Sequence, residues 1–390
     1  MKKSLLALAV LGAFAGAAQA QSSVTIYGII DTGVVYQSKV ATSTGGTGSK
    51  FGLNSGVIQG SRIGFKGAED LGGGLSAVFN LEAGFSNDTG ALDDSKTSNT
   101  LFRRKSVVGL AGNFGSVLVG RQTDFADTIS AYTSVKDFGG WTSNSGSGLD
   151  RLQGTRTNNS ISYTTSNLNG FTGNLMYGFG ETAGQTSAGQ AFGIGGKYDN
   201  GPLGLGINYY QSKAGTTPAD TSLLAATGTN QYTNGNSTGS SAQKVLNVAA
   251  SYQFGPARVY GNYSRVKQDL NTQANLTAAG VGSLSTLSNR TLAASKKADI
   301  YEIGTAYSLT PSLNLLAAVD HTRADFDGVS NKAKLTQVSL GTDYWLSKRT
   351  DLYALLAYTK TSDMANPGVS NSSGTDGNQG AVAVGIRHKF

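Results

Sequence analysis

The chain has no cysteine, only five prolines and only two histidines among its 390 residues. Without cysteine there can be no disulfide and no thiolate ligand, so stability must come from burial and from backbone pairing. Charged residues make up 14% of the chain and hydrophobic residues 38%, whereas glycine occurs 54 times. Low proline and low charge argue against a disordered chain, and this composition suits strands and turns better than helices.

The N-terminal residues have the pattern of an export signal. Lys2 and Lys3 precede an apolar run that ends in Ala18-Gln19-Ala20, a small-x-small cleavage site. The run is shorter than the ~20 residues that a membrane-spanning helix needs. We therefore predict that residues 1–20 are a signal peptide that is removed and that residues 21–390 form one domain. Removal of two lysines lowers the formal charge from +7 to +5, a mild excess that gives no reason to expect a nucleic-acid partner.

Segments of about ten residues with period-two polarity recur from Val24 to Phe390. The last segment shows the pattern most clearly. One face carries the apolar side chains and His388: Val382, Val384, Ile386, His388 and Phe390. The other face carries the small and basic ones: Ala381, Ala383, Gly385, Arg387 and Lys389. One face suits lipid and the other suits water, although the strands of a soluble sandwich can alternate in the same way.

The lengths of the connections distinguish a membrane barrel from a soluble sandwich. Short turns are predicted at 69–74, 112–116, 166–170, 199–204, 254–257, 309–312 and 346–350. Longer polar segments lie at 38–57, 86–101, 123–157, 180–190, 214–243, 268–295, 326–331 and 362–379. Short and long connections alternate strictly, so one rim carries tight turns and the other carries loops, as in outer-membrane barrels.

The predicted fold is all-β: a transmembrane antiparallel β-barrel of about sixteen strands, with both termini on the periplasmic rim. A closed barrel is required because lipid offers no partner for unpaired backbone groups. The predicted strands are 23–37, 58–68, 74–85, 102–112, 115–122, 158–165, 170–179, 190–199, 203–213, 244–254, 257–267, 296–309, 312–325, 332–346, 350–361 and 380–390. A barrel of this size leaves an aqueous channel.

Several stretches resemble the general porins of Gram-negative outer membranes, most closely the β-proteobacterial branch. They are VTIYGIIDTGVVY from Val24, SRIGFKGAEDLGGGLSAVFNLEAGF from Ser61, VGLAGNFGSVLVGRQ from Val108, NSISY from Asn159 and the terminal GIRHKF. The resemblance implies a sixteen-stranded barrel, a homotrimer with one pore per subunit, a third loop folded into the lumen and passive transport of small ionic and polar solutes. It also implies a setting of outer-membrane lipid and lipopolysaccharide, and barrel-assembly machinery that recognises Phe390.

The third long connection, 123–157, has about 35 residues without strand character, a length that calls for a function. The resemblance implies that this loop folds inward and narrows the lumen, whereas an exposed surface loop is the alternative. Asp137-Phe138-Gly139-Gly140 is similar to the acidic-Phe-Gly-Gly motif at the loop tip in general porins, and Lys136 stands where many relatives carry proline. Asp137 and Asp127 are the predicted acidic residues on this loop.

Opposite the loop, the resemblance implies a basic wall. In SRIGFKG, Ile63 and Phe65 alternate with Arg62 and Lys66, and a charge facing lipid at mid-depth would cost ~2–4 kcal/mol. Both basic side chains are therefore expected to face the lumen. Arg121 and Arg156 match other lumen arginines of the family, and Glu82 is the expected acidic partner. Arg103 and Lys105 extend the wall, unless these two and the neighbouring Arg104 are rim charges that reach the head groups.

Arginine stays charged at all ordinary pH values, so such a wall creates a permanent field across the narrow part of the lumen. Basic residues outnumber acidic ones among the predicted constriction residues. We therefore expect weak to moderate anion selectivity.

Two other classes of function have less support in the sequence. A hydrolase on a barrel wall needs a base beside a nucleophile, and His321 and His388 lie in no recognisable hydrolase motif. An adhesin or receptor barrel would use the Thr-, Ser-, Asn- and Gly-rich loops 214–243 and 268–295, a role that could coexist with a pore. No cofactor is expected, and no histidine pair at ligand spacing supports a metal site.

Overall fold

A computed structural model describes residues 23–92, 100–141, 149–215, 219–220, 241–278, 280–371 and 374–390. The predicted signal peptide lies outside these residues. The described part contains seventeen strands: β1 (Ser23–Ala41), β2 (Thr47–Ser55), β3 (Arg62–Gly72), β4 (Leu75–Gly84), β5 (Lys105–Gly112), β6 (Gly115–Thr123), β7 (Arg156–Thr165), β8 (Phe171–Gly178), β9 (Ala191–Asn200), β10 (Leu203–Lys213), β11 (Ser241–Phe254), β12 (Ala257–Lys267), β13 (Lys297–Ser308), β14 (Leu313–Asp325), β15 (Ala333–Trp345), β16 (Thr350–Ser362) and β17 (Asn378–Lys389).

The strands form one closed antiparallel sheet, in which each strand from β3 to β16 pairs with the next one in sequence and β17 pairs with β1. On its other side, the first half of β1 pairs with β3 and the second half with β2. Because β2 and β3 share one place beside β1, the seventeen strands fill sixteen positions around the barrel. The predicted antiparallel barrel of about sixteen strands is confirmed.

The prediction that residues 38–57 form a loop was wrong in part. β1 continues to Ala41, and β2 returns along it from Thr47 to Ser55. The local sequence does not predict this hairpin, because the hairpin is rich in Gly, Ser and Thr, which are typical of turns. Its outward side chains Phe51 and Leu53 are exposed, which continues the apolar outer face of the barrel.

The short helices lie in the long loops. They are α1 (Phe125–Ile129), α2 (Val135–Phe138) and α3 (Gln273–Ala278), with single 3₁₀ turns at Ser130–Tyr132, Gly139–Trp141, Leu287–Asn289, Leu292–Ala294 and Val369–Asn371. Within the described ranges, no helix is long and apolar enough to cross a membrane.

The two faces of the barrel differ as the alternation predicted. In β17, Val384 is 59% exposed on the outside, whereas its neighbour Ala383 is fully buried and points inward. Strand after strand repeats this pattern, with Ile303 and Leu340 exposed on the outer face. An outer surface of exposed apolar side chains on a closed barrel suits a lipid environment.

Tight turns join the strands at one rim and long loops join them at the other, as predicted, apart from the short turn 42–46 between β1 and β2 at the loop rim. The C-terminus lies at the rim of the tight turns, where Phe390 and Gly28 exchange backbone hydrogen bonds of 3.0 and 3.1 Å. This exchange closes the ring between the first and last strands.

Loops fill part of the lumen. On the wall formed by β12 to β15, the inward side chains Val266, Ile300 and Leu335 are at most 1% exposed near the loop rim. They belong to one apolar cluster with Leu276 and Leu284 of the loop between β12 and β13. A wall that would otherwise face water is therefore covered from inside, which leaves the solvent-filled space on the opposite side of the barrel.

Candidate pore constriction

The connection between β6 and β7, residues 124–155, is named L3. Its first helix, α1, lies against the inner wall at β9 and β10. A Cβ atom placed on Gly206 would lie 2.5 Å from Cγ2 of Ile129, and one on Gly195 would lie 2.4 Å from the ring of Phe125. The wall therefore needs glycine at these positions for L3 to approach so closely. The prediction that this loop folds into the lumen is confirmed.

The tip of L3 is fixed by apolar packing. Phe138 and Trp141 are at most 1% exposed and pack with wall residues such as Leu316 and Leu355. Between them, Gly139 has a φ of 51°, and a Cβ there would lie 1.6 Å from the carbonyl oxygen of Ile58. Only glycine fits this backbone conformation and this contact, which explains the glycine after Phe138 in the motif.

Hydrogen bonds and an ion pair to the far wall also hold L3. The Ser134 N–H donates to Oε1 of Glu302 on β13 at 2.7 Å. The Gln337 side chain on β15 donates to the carbonyl oxygen of Trp141. The Asp137 carboxylate pairs with the guanidinium of Arg258 on β12. These contacts attach the loop to three strands opposite its origin.

The Asp137 carboxylate therefore does not face the basic wall, contrary to the expectation from the sequence. Its carboxylate is directed behind L3 toward Arg258, away from the basic wall on β3 to β7. Burial raises the pKa of the Asp137 carboxyl, and the guanidinium of Arg258 opposes that effect. The sequence could not reveal this pairing because the two residues are 121 positions apart.

On the opposite wall, basic side chains surround Glu82. The Arg104 Nε donates to Oε1 of Glu82 at 2.7 Å, and a guanidinium nitrogen of Arg62 lies 3.9 Å from the same oxygen. The Tyr27 hydroxyl donates to Oε2 at 3.0 Å. The Arg156 Nε donates to the backbone oxygen of Arg104 at 3.3 Å, which links β7 to this group. We name these four charged residues, Arg62, Glu82, Arg104 and Arg156, the Glu82 cluster.

A cavity of ≈ 560 Å³ separates the Glu82 cluster from L3. Asp127, Lys136 and Gly139 line it on the loop side. Its charged lining residues are five basic and two acidic, a net charge of +3: Arg62, Arg104, Lys105, Lys136, Arg156, Glu82 and Asp127. The cavity thus has the composition of a constriction with a basic wall and a loop facing it.

The remaining predicted basic residues lie beside this cavity. Lys66 faces inward nearer the tight-turn rim, with its Nζ 5.5 Å from the ring centre of Tyr27, and lines a neighbouring ≈ 340 Å³ cavity with Lys105. Arg121 lies at a bulge in β6, where its Nε donates to the backbone oxygen of Arg103 at 2.5 Å. Its guanidinium also donates to the side-chain oxygen of Asn158.

Two cavity residues are not evident from the sequence pattern. Arg104 and Val108 are four residues apart and would share one face of a regular strand. Because Val108 faces outward, Arg104 would then point outward too. However, β5 begins only at Lys105, so Arg104 is released from that constraint and turns to Glu82. Lys136 stands out in the sequence only as a departure from proline. The sequence indicated this cluster through Glu82, an acidic residue between two strands that are rich in basic residues.

Each histidine has a threonine partner. His321 Nδ1 lies 2.8 Å from Oγ1 of Thr336, and His388 Nδ1 lies 2.9 Å from Oγ1 of Thr350. Among the described residues, no group of three or more His, Cys, Asp or Glu side chains could hold a metal ion.

Comparisons with known proteins agree with this architecture. A model of the Gram-negative porin family matches residues 7–364. The chain is 35% identical to outer membrane porin protein 32 of Delftia acidovorans and 32% identical to an outer membrane porin protein of Bordetella pertussis, in each case over 100% of both chains. Among solved structures, the anion-selective porin from Comamonas acidovorans matches with a TM-score of 0.69 and 29% identity, over 95% of this chain and 100% of that one.

A closed barrel with an apolar outer face and a loop-narrowed, charged lumen defines a channel protein of the outer membrane. The chain belongs to the Gram-negative porin family. It is a porin, a multi-pass β-barrel of the outer membrane, and a channel rather than an enzyme. OmpT of Vibrio cholerae, which shares the fold at 15% identity, has been solved in a trimer form.

Proposed function

We propose that this porin conducts small hydrophilic solutes by passive diffusion and favours anions. The observation that carries the proposal is the net charge of +3 on the lining of the cavity between L3 and the Glu82 cluster. Charged groups that line a narrow aqueous path attract ions of opposite sign and repel those of the same sign. The solved structure that matches over 95% of this chain is that of an anion-selective porin, which supports the proposal.

The arginines supply a field that does not depend on ordinary changes of pH, because guanidinium groups remain protonated. Glu82 offsets one of these charges and orients Arg104 through a hydrogen bond of 2.7 Å. On the L3 side of the cavity, the charges of Asp127 and Lys136 offset each other, so the excess positive charge lies on the opposite wall. A dipolar solute would therefore experience a transverse field as it passes between L3 and the wall.

The test is the reversal potential of the purified protein in a planar bilayer under a salt gradient. We expect an anion-selective potential that weakens as ionic strength rises, because salt screens the lumen charges. A cation-selective wild type would contradict the proposal. Single-channel conductance in the same experiment separates an open pore from a closed adhesin barrel.

Single substitutions then locate the charges responsible. Arg62→Gln, Arg104→Gln and Arg156→Gln each remove a cation from the cavity lining and should shift the potential toward cations. Arg121→Gln removes a cation that lies beside the cavity and should shift it less. Equal shifts for all four variants would mean that the whole lumen, and not this cavity, sets the selectivity.

We also propose that residues 1–20 are a removed signal peptide, that residues 21–390 form one barrel domain and that the chain is a homotrimer. Trimer formation is supported by the porin family and by the trimer form solved for OmpT. The exposed apolar outer face suits outer-membrane lipid with lipopolysaccharide in its outer leaflet, and the terminal Phe390 fits recognition by barrel-assembly machinery. The apparent mass in mild detergent, before and after heating, tests the trimer.

A further inference from the structure

A fully buried arginine lies where L3 returns to the barrel wall. The Arg151 side chain has no solvent exposure, and its backbone has a φ of 65°, a left-handed conformation that is uncommon for residues other than glycine. A buried guanidinium is costly unless charged partners and hydrogen bonds satisfy it. Arg151 therefore differs in kind from the arginines of the Glu82 cluster, which line the solvent-filled cavity.

Two buried carboxylates satisfy Arg151. Its Nε donates to Asp124, and its Nη1 donates to Oδ2 of Asp220 at 2.7 Å. Its guanidinium also stacks on the ring of Tyr210, 3.6 Å from the ring centre. Burial lowers the pKa of Arg151, but the carboxylates of Asp124 and Asp220 outweigh burial and raise it above its ordinary value. The group carries a formal charge of −1.

These partners come from separate parts of the chain. Asp124 is the first residue of L3, and its side chain accepts the Ala126 N–H as the cap of α1. Asp220 belongs to the loop between β10 and β11 and pairs with Thr157 of β7. Tyr210 lies on β10. Arg151 thus connects both ends of L3 to a second loop and to the wall.

The connected residues adjoin the constriction. Leu152 and Gln153, which follow Arg151 directly, line the ≈ 560 Å³ cavity, as does Asp127 three residues after Asp124. The two ends of L3 also lie close together, since a Cβ on Gly154 would lie 2.8 Å from Oδ1 of Asp127. A displacement at Arg151 would therefore move both the loop ends and the acidic side chain that faces the basic wall.

We propose that Arg151 is a positioning residue that sets the geometry of the constriction by holding the two ends of L3 together. It does so from outside the cavity lining. It also keeps the carboxylates of Asp124 and Asp220 buried and paired, so that they stay out of the solute path. This role rests on the proposed selectivity of the pore and deepens it, because it explains why acidic groups close to the lumen do not oppose the basic wall.

The experiment compares Arg151→Met with the wild-type protein in planar bilayers. Methionine fills much of the same space but cannot bind the carboxylates, which would then turn toward water in the lumen. We expect a shift of the reversal potential toward cations together with a noisier open-channel current. Arg265→Met is the matched control, because it removes the same charge from a half-exposed pair with Asp299 and should leave both quantities unchanged.

Two further variants keep the proposal testable. Arg151→Lys retains a cation and should restore part of the wild-type behaviour. Should Arg151→Met fail to fold, as judged by heat-dependent mobility in gels, Asp220→Asn provides the milder change and should raise the current noise. A folded Arg151→Met protein with wild-type current noise and reversal potential would overturn the proposal, as would wild-type noise for Asp220→Asn.

The outcome is distinguishable from a failure of the proposed function. Anion selectivity fails if the wild type is cation-selective, whatever the variants do. The positioning role is decided by the difference between Arg151→Met and wild type, including current noise, which does not depend on the sign of the selectivity.

Discussion

Glu82 is the residue whose neutralisation changes the lumen charge with the smallest change of shape. Glu82→Gln raises the net charge of the cavity lining from +3 to +4 and keeps an oxygen that can accept from Arg104. We expect stronger anion selectivity, measured as a larger reversal potential under the same salt gradient. Glu69→Gln is the control, since Glu69 lies exposed on β3 near the tight-turn rim. A shift toward cations in Glu82→Gln would show that the carboxylate organises the arginines more than it offsets them.

Lys136 makes one part of the field sensitive to pH. Burial and the nearby Arg258 lower the pKa of Lys136 from its ordinary value. It therefore loses its positive charge at a lower pH than an ordinary lysine, so anion selectivity should fall as pH rises through the alkaline range. Lys136→Arg should weaken this dependence, because guanidinium stays protonated. The measurement is the reversal potential of both proteins across a pH series. Parallel curves for the two proteins would exclude Lys136 as the source of the pH dependence.

At the scale of the element, L3 keeps its place through contacts that tolerate almost no added atom. Gly139→Ala would place a Cβ 1.6 Å from the oxygen of Ile58 at a φ of 51°, so the loop tip must move. We expect an altered single-channel conductance and a lower unfolding temperature. Gly140→Ala is the matched control, because its Cβ would lie 3.4 Å from the nearest atom, an ordinary contact. Equal behaviour of the two variants would mean that the tip of L3 adapts freely.

For the whole molecule, the closure of the barrel and its assembly in the cell are separate problems. Phe390 pairs with Gly28 through its backbone, and its side chain is 41% exposed. Replacing the side chain leaves the backbone pairing possible, so Phe390→Ser should fold in detergent and conduct like the wild type. Its amount in the outer membrane should fall if assembly machinery recognises the aromatic side chain. Quantification of the barrel in membrane fractions and bilayer conductance of refolded protein test the two halves separately.

The elements of the barrel were largely predictable because a lipid environment leaves the sequence few choices. Outward residues must be apolar and inward ones must suit water, so each strand shows its faces directly. The parity of short and long connections then indicated the number of strands. β2 was missed because it is built largely from turn-forming residues. The same alternation placed Arg62 and Lys66 inward.

The sequence by itself therefore determined the barrel, the rims of the short and long connections and the unusual length of the third loop, since these follow from local periodicity and spacing. Only the tertiary structure decided which charges meet: Arg104 with Glu82, Asp137 with Arg258, and Arg151 with two carboxylates. Such pairs join residues that are 22 to 121 positions apart. Closure of the barrel and the path of L3 bring them together, and no local pattern in the chain records those distances.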